Sequence, residues 1–282
     1  MPQSALPTVT LPSGERVRRL GQGTWRMGES KRAFDDEVAA LKLGLDLGMT
    51  LIDTAELYGE GGAEEVVADA INGRREDCFI VSKVKPENAT RAGTIAACES
   101  SLRRLKTDRI DLYLLHWRGR PRLEETLAGF MALLDKGAIR YFGVSNFDVE
   151  DMEELFALAG GDACASNQVV YNLRRRAIEY GVVPWSRKHH VPIMAYSPIE
   201  QGRLGGNRAL TAIAARHEAT PAQIALAWVL EQRDMMVIPK ASNAAHVREN
   251  RAALDIKLTE GDLAELDRAF PPPRGARPLE VL

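Results

Sequence analysis

The chain has 282 residues, 45% of them hydrophobic and 27% charged, with a formal net charge of −2. That balance belongs to an ordinary globular protein, and it excludes a cationic surface for a nucleic-acid backbone and an apolar run long enough for a membrane-spanning helix. Cys78, Cys98 and Cys164 are odd in number and far apart, which predicts reduced thiols in a cytoplasmic protein, and the opening residues lack the charged-then-apolar pattern of a secretory signal.

In chain order, TVTLPSGERVR (8–18) places Pro-Ser-Gly between two β-prone pieces and predicts a small hairpin. Helical and strand patterns then alternate. FDDEVAALKLGLDLG leads into TLID, AEEVVADAING into CFIVSKV, and TIAACESSLRRLKT into IDLYLLHW. LEETLAGFMALLDKG leads into IRYFGVSNF, VEDMEELFALAG into ASNQVVYN, AIEYGVVPWSRKHH into PIMAYSP, and TPAQIALAWVLEQ into MMVIPKAS. Further helical segments finish the chain, and the tail PPPRGARPLEVL starts non-helically because proline lacks an amide donor.

Such alternation predicts parallel βαβ units, either in an open sheet or in a closed barrel. The units number about eight, the count of a TIM barrel of roughly 250 residues. Polar residues decide between the two. Asp53, Lys83, His116, Asn146, Gln168, Tyr196 and Lys240 each fall at or just past the end of a different apolar strand. An open sheet would scatter them, whereas a barrel gathers them on one rim. The expected fold is a single (β/α)8 TIM barrel domain over residues 1–282, with a short N-terminal β-hairpin.

On that rim, TLIDTAELYGEGG (50–62) sets Asp53 and the loop residue Tyr58 beside Lys83 and His116. A phenol ionises only near pH 10, about, and a neighbouring ammonium is expected to lower that value while Asp53 keeps the ammonium charged. A neutral His116 would orient a substrate oxygen, and the group would protonate the oxyanion formed when hydride reaches a carbonyl carbon. Taken singly, each residue has an ordinary explanation: Asp53 a helix cap, Lys83 a surface lysine, His116 a satisfied core histidine, Tyr58 a packed loop residue. Their joint placement favours the site.

Two glycine clusters fail as nucleotide motifs. GQGTWRMG (21–28) is not GxGxxG in a strand–turn–helix unit, and GEGGAEE lacks the Lys-Ser/Thr of a phosphate loop. His189 and His190 are sequence neighbours that do not share a helix face, so no metal site is expected.

Over nearly its whole length the sequence resembles the aldo/keto reductase family. GMTLIDTAELYGEGGAEE, FIVSKV, DLYLLHW, MALLDKGAIRYFGVSNF, YSP and VIPKASNAAHVRENRAA carry the resemblance, in the family's order. It implies reduction of aldehydes or ketones, with Tyr58 as general acid, Asp53 and Lys83 as its tuning pair, and His116 as the carbonyl-orienting donor. It implies NADPH (NADP+) as cofactor. Gly23, Thr24 and Trp25 would line the nicotinamide end with Asp53, while Ser145, Asn146 and Gln168 would hold the carboxamide under the Tyr196 ring. Ser197, Pro198, Ile199, Gln201, Gly202 and Leu204 would pass over the pyrophosphate.

At the adenosine end stand Ile238, Lys240, Ala241, Ser242, His246, Glu249 and Asn250. Here Ala241 replaces the family's usual serine and His246 its usual arginine, so acceptance of NADH beside NADPH is expected. Trp25, Tyr58, His116 and Trp117 would wall the substrate pocket, which the short tail is expected to leave open on one side. The expected partner is a small carbonyl compound, dicarbonyls such as methylglyoxal included, bound by a monomer. Two other functions fit the same residues: a nicotinamide-binding regulatory or sensor subunit with little turnover, and a Schiff-base lyase using Lys83.

Overall fold

The computed structural model describes residues 6–282. Strands β1 (Thr8–Thr10) and β2 (Arg16–Arg18) form the expected antiparallel hairpin, with Val9 opposite Val17. A parallel sheet follows: β3 (Gln22–Gly23), β4 (Leu51–Asp53), β5 (Phe79–Val84), β6 (Ile110–Leu115), β7 (Ile139–Ser145), β8 (Asn167–Val170), β9 (Ile193–Tyr196) and β10 (Met235–Val237), each paired with the next. Its ends meet through bridges Leu20–Val237 and Gly23–Lys240, and the Gly21 amide donates to the Val237 carbonyl at 2.9 Å. The sheet is therefore a closed eight-stranded barrel, as expected.

The helices between strands are α1 (Phe34–Asp46), α2 (Gly62–Ala70), α3 (Arg91–Leu105), α4 (Leu123–Asp135), α5 (Val149–Ala157), α6 (Val182–His189), α7 (Arg208–Arg216), α8 (Pro221–Leu230), α9 (Ala244–Ala252) and α10 (Glu260–Ala269). Their starts follow from local chemistry. Thr90, Asn207 and Asn243 accept a backbone N–H of the first turn, and Asp148, Thr220 and Thr259 complete reciprocal capping boxes.

Three features differ from the sequence-level reading. The first barrel strand is the two-residue β3, too short to show any periodicity. AIEYGVVPWSRKHH splits into a 3₁₀ turn, Ala177–Glu179, and α6, because Pro184 lacks an amide and its ring would clash with a helical carbonyl at Tyr180. Helix α7 is additional; only Leu210, Ile213 and Ala214 form its buried stripe.

Leu51, Val81, Leu112, Leu114, Met194 and Met236 fill the barrel interior, and Val9, Leu11 and Val17 of the hairpin close its N-terminal end. Ile52, Ile80, Tyr113, Phe142 and Val144 face outward onto the helices. Burial on both faces explains the near-continuous apolar strands, at roughly 1.5–3 kcal/mol for each large apolar side chain. Cys78, Cys98 and Cys164 are free and buried. No helix among the described residues is long and apolar enough to cross a membrane.

The tail is non-helical, as its prolines require, and its last residues reach the barrel mouth. Glu280 pairs with Arg175 at 3.3 Å, and the Leu282 amide donates to Tyr196 Oη at 3.3 Å. A short extended segment spans at roughly 3.3 Å per residue, so lack of helix does not limit its reach.

Candidate active site

Asp53 is the last residue of β4, Lys83 the fifth of β5, and His116 follows β6 directly. Strand alternation turns the first two into the barrel, where Asp53 is 2% exposed and Lys83 0%. Lys83 Nζ donates to Asp53 Oδ2 at 2.8 Å, to the Thr54 carbonyl at 2.8 Å and to Tyr58 Oη at 3.2 Å. An ammonium has three hydrogens and no lone pair. Lys83 is thus fully committed, and the hydroxyl hydrogen of Tyr58 must point away from it.

Gln168 of β8 completes the cluster. Its Nε2 donates to Asp53 Oδ1 at 2.7 Å and contacts Met194 Sδ at 2.9 Å. The amide assigned from sequence to a nicotinamide carboxamide is therefore engaged with Asp53 across the barrel. Thr54, Met194 and the Gln168–Asp53 bond were missed by the sequence reading; nothing in local periodicity signals them.

Burial draws both partners of the ion pair towards neutrality: it raises the Asp53 carboxyl and lowers the Lys83 ammonium, while their mutual attraction opposes it. Tyr58 goes the opposite way to expectation. Burial, and secondly the Asp53 carboxylate, hold its phenol well above the ordinary value. The physical reason is that burial strips a phenolate of its hydration, and the Asp53 carboxylate nearby repels it. Tyr58 accordingly keeps its proton at neutral pH.

His116 is 8% exposed. Burial, and then the Lys83 charge, push its imidazole down to about 2, so the ring is neutral. It meets the Tyr58 ring edge-on, with centroids 5.6 Å apart, and lies 4.7 Å from the Trp117 ring. Its Nδ1 is buried without a hydrogen-bond partner among the described residues. A bare lone pair is less costly there than an orphaned N–H, which places the proton on Nε2.

Around this centre lies a polar ring. Asn146 follows β7 in the left-handed region, φ 59°, which asparagine tolerates. Its Nδ2 donates to the His116 carbonyl at 3.1 Å and to Ser145 Oγ at 3.2 Å, and its Oδ1 accepts from Tyr196 Oη at 3.0 Å. Ser145 Oγ donates to the Gln168 carbonyl at 2.9 Å, and Thr24 Oγ1 donates to that of Asp53 at 2.9 Å. Gly23 pairs with Asp53 in the sheet register. Trp25 is 41% exposed with the Arg26 guanidinium over its ring, and Trp117 is half-buried.

The segment Ser197–Leu204 leaves β9 and is anchored from beneath by Glu200, which sequence reasoning passed over. Glu200 is 4% exposed and accepts from Asn172 Nδ2 at 2.8 Å and from Arg175. Pro198 and Leu204 are buried, Ser197 and Ile199 half-buried, Gln201 and Gly202 exposed. After β10, Ile238, Ala241 and Asn250 are buried, while Lys240, Ser242 and Glu249 are half-buried and His246 is exposed. The His246 ring is tied to Asn243 Nδ2 at 3.0 Å. Lys240 and Arg248 make no ion pair among the described residues.

The barrel mouth thus brings together a protonated phenol, a buried ion pair and a neutral imidazole. Residues 19–270 match the model of the aldo/keto reductase family. The methylglyoxal reductase YeaE of Escherichia coli K12 is 50% identical over 279 residues, covering 97% of this chain and 96% of that protein. The glyoxal reductase of Bacillus subtilis is 35% identical over the full length of both. An aldo/keto reductase from Klebsiella pneumoniae, solved in complex with NADP and acetate, superposes with a TM-score of 0.95 at 47% identity, covering 98% of this chain and 100% of its own. This chain belongs to the aldo/keto reductase family, oxidoreductases that act on carbonyl groups.

Proposed function

We propose that this protein reduces small aldehydes and ketones to alcohols with NADPH, and that Tyr58 protonates the carbonyl oxygen. One observation carries the reading: Tyr58 Oη lies 3.2 Å from a Lys83 ammonium that is paired with Asp53, beside a neutral His116. A proton donor and an orienting donor then face the same space.

The residues present fit a nicotinamide dinucleotide. Asn146 and Ser145 offer amide and hydroxyl groups at the mouth, the Tyr196 hydroxyl is bonded to Asn146, and Lys240 and Arg248 supply cations free of ion pairs among the described residues. When bound, NADPH supplies the hydride. The protein does the rest. His116 Nε2–H holds the carbonyl oxygen, and the Tyr58 O–H, aimed away from Lys83, delivers its proton as charge develops there. Lys83 keeps one N–H on the phenolic oxygen and stabilises the phenolate left behind. Gln168 and Lys83 hold Asp53 ionised, so the ammonium survives burial.

The names of the relatives, methylglyoxal and glyoxal reductase, support a small dicarbonyl substrate, and the tail lying across the rim favours compact ones. NADPH is taken in preference to NADH, but not exclusively, because His246 is a weaker phosphate ligand than an arginine. The Schiff-base alternative needs a neutral, accessible amine, whereas Lys83 is buried and donates to three acceptors. The same reading takes the chain as a single-domain cytoplasmic monomer.

Oxidation of each reduced nicotinamide over a panel of aldehydes and ketones tests it. Turnover of methylglyoxal with NADPH is expected; tight binding with no turnover of any carbonyl would favour a sensor instead. A preference for NADPH of ~1000-fold in Kd, about 4 kcal/mol, would contradict the mixed cofactor use.

A further inference from the structure

The two glycine clusters that fail as nucleotide motifs meet in space beside Tyr58. Tyr58 opens a turn whose next three residues are left-handed: Gly59 at φ 57°, Glu60 at φ 53° and Gly61 at φ 95°. Helix α2 starts immediately after. The only side-chain hydrogen bond to Tyr58 among the described residues comes from Lys83. The position of the phenolic oxygen therefore depends on where this turn is seated.

Its seat is backbone against backbone. A Cβ on Gly28 would lie 2.2 Å from the Gly62 carbonyl carbon, one on Gly62 2.6 Å from the Gly28 oxygen, and one on Gly59 2.8 Å from the Met27 oxygen. None of these atoms belongs to a flexible side chain, so no other residue fits without moving the turn. The Gly28 amide is held in turn by Glu37 Oε2 at 2.8 Å, and Glu37 of α1 is 4% exposed. On the opposite side, Arg104 packs against Gly61 and donates to Glu64 Oε2 at 2.6 Å. Ser82, the neighbour of Lys83 in β5, donates to the other oxygen of Glu64.

We propose that the seam of Gly28, Gly59 and Gly62 sets the distance between the Tyr58 hydroxyl and Lys83, and that Glu37 is a positioning residue for the proton donor, acting through Gly28. The inference rests on Tyr58 being that donor. Glycine is thus used here for close approach of two loops and not for a phosphate.

Glu37→Gln keeps an acceptor for the Gly28 amide, Glu37→Leu removes it, and Gly28→Ala wedges the seam. Each is compared with the unsubstituted protein for kcat and KM with methylglyoxal, for NADPH Kd by fluorescence, and for Tyr58 ionisation by ultraviolet difference titration against Tyr58→Phe. Glu37→Leu and Gly28→Ala are expected to lose kcat by roughly 10- to 100-fold, the scale of a ~1 Å misplacement. KM and NADPH Kd should stay within about twofold. Glu37→Gln should retain half or more of kcat. Tyr58, whose phenol is held above its ordinary range, should titrate earlier in the two damaging variants, as a loosened turn exposes it.

Unchanged kcat and unchanged Tyr58 ionisation in Glu37→Leu would overturn the proposal. So would equal loss in Glu37→Gln and Glu37→Leu. Should Gly28→Ala not fold, the Glu37 pair decides alone. If the unsubstituted protein reduces no carbonyl, the functional reading fails, and the titration still decides whether the seam seats Tyr58.

Discussion

Two buried aspartates at opposite ends of the barrel show how differently one residue type is employed. Asp111, near the start of β6, is 1% exposed, yet its oxygens are shared among Arg75 at 2.8 Å, the Ile80 amide at 2.8 Å and Arg140 at 3.0 Å. Arg140 continues to Glu15 of the hairpin, whose Oε2 also accepts from Tyr141 Oη at 2.7 Å. Both arginines reach water. Asp53, at the C-terminal end, has one cation, wholly buried, and that cation also serves a phenol. Nearby, His116 Nδ1 and Thr54 Oγ1 have no partner among the described residues. One end satisfies its charges and anchors the hairpin. The other confines a single ion pair and shares its cation with a phenol, which fits the general division of TIM barrels into a stabilising face and a reactive one.

The comparison breaks most easily at the lysine. Lys83→Met strands a buried carboxylate, and losing one partner of such a pair costs about 3–5 kcal/mol. Urea unfolding should show that loss, and reductive turnover should fall with it. Asp111→Asn should cost less, about 1–3 kcal/mol, because its arginines regain solvent, and turnover should be unchanged. If the two substitutions proved equal in stability, or if Asp111→Asn impaired kcat, the contrast between the two ends would be unsound.

Protonation sharpens the same contrast. His116 is neutral when folded, with its pKa pushed to about 2 by burial and then by Lys83. Below the ordinary histidine value of about 6.5 the unfolded chain binds the extra proton, so stability is present above that pH and is lost as pH falls towards 2. The slope due to this residue approaches 1.4 kcal/mol per unit, about. Denaturant melts from pH 7 to 5 should show a shallower acid loss in His116→Ala than in the unsubstituted protein. Smaller still is the expected effect of pH on carbonyl reduction. Because burial and Asp53 hold the Tyr58 phenol high, kcat should stay nearly flat between about pH 6 and 9. Alcohol oxidation, which needs the phenolate, should rise throughout that range. A reductive kcat that fell across neutral pH would show Tyr58 ionising there.

Much of this was legible from residue order. Asp53, Lys83 and His116 each fall at or beside the C-terminal end of an apolar strand, and closed parallel strands force such ends together. Other features had no local trace. Strand β3 is two residues long, and Gln168 bonds an aspartate 115 positions away, a pairing that only barrel closure creates. The high phenol of Tyr58 reversed the expectation because burial, which residue order does not disclose, penalises the phenolate, and Asp53 adds to that penalty. The tail's reach to Tyr196 was hidden as well, since proline forbids helix without saying where an extended chain goes.

The central claim is that Tyr58 delivers the proton and does little else, and Tyr58→Phe tests it most directly. Methylglyoxal-dependent NADPH oxidation and NADPH Kd should be measured on the same preparation. The account predicts turnover reduced on the order of 10²- to 10⁴-fold, with Kd within about twofold of the unsubstituted protein. Undiminished turnover in that variant would contradict it.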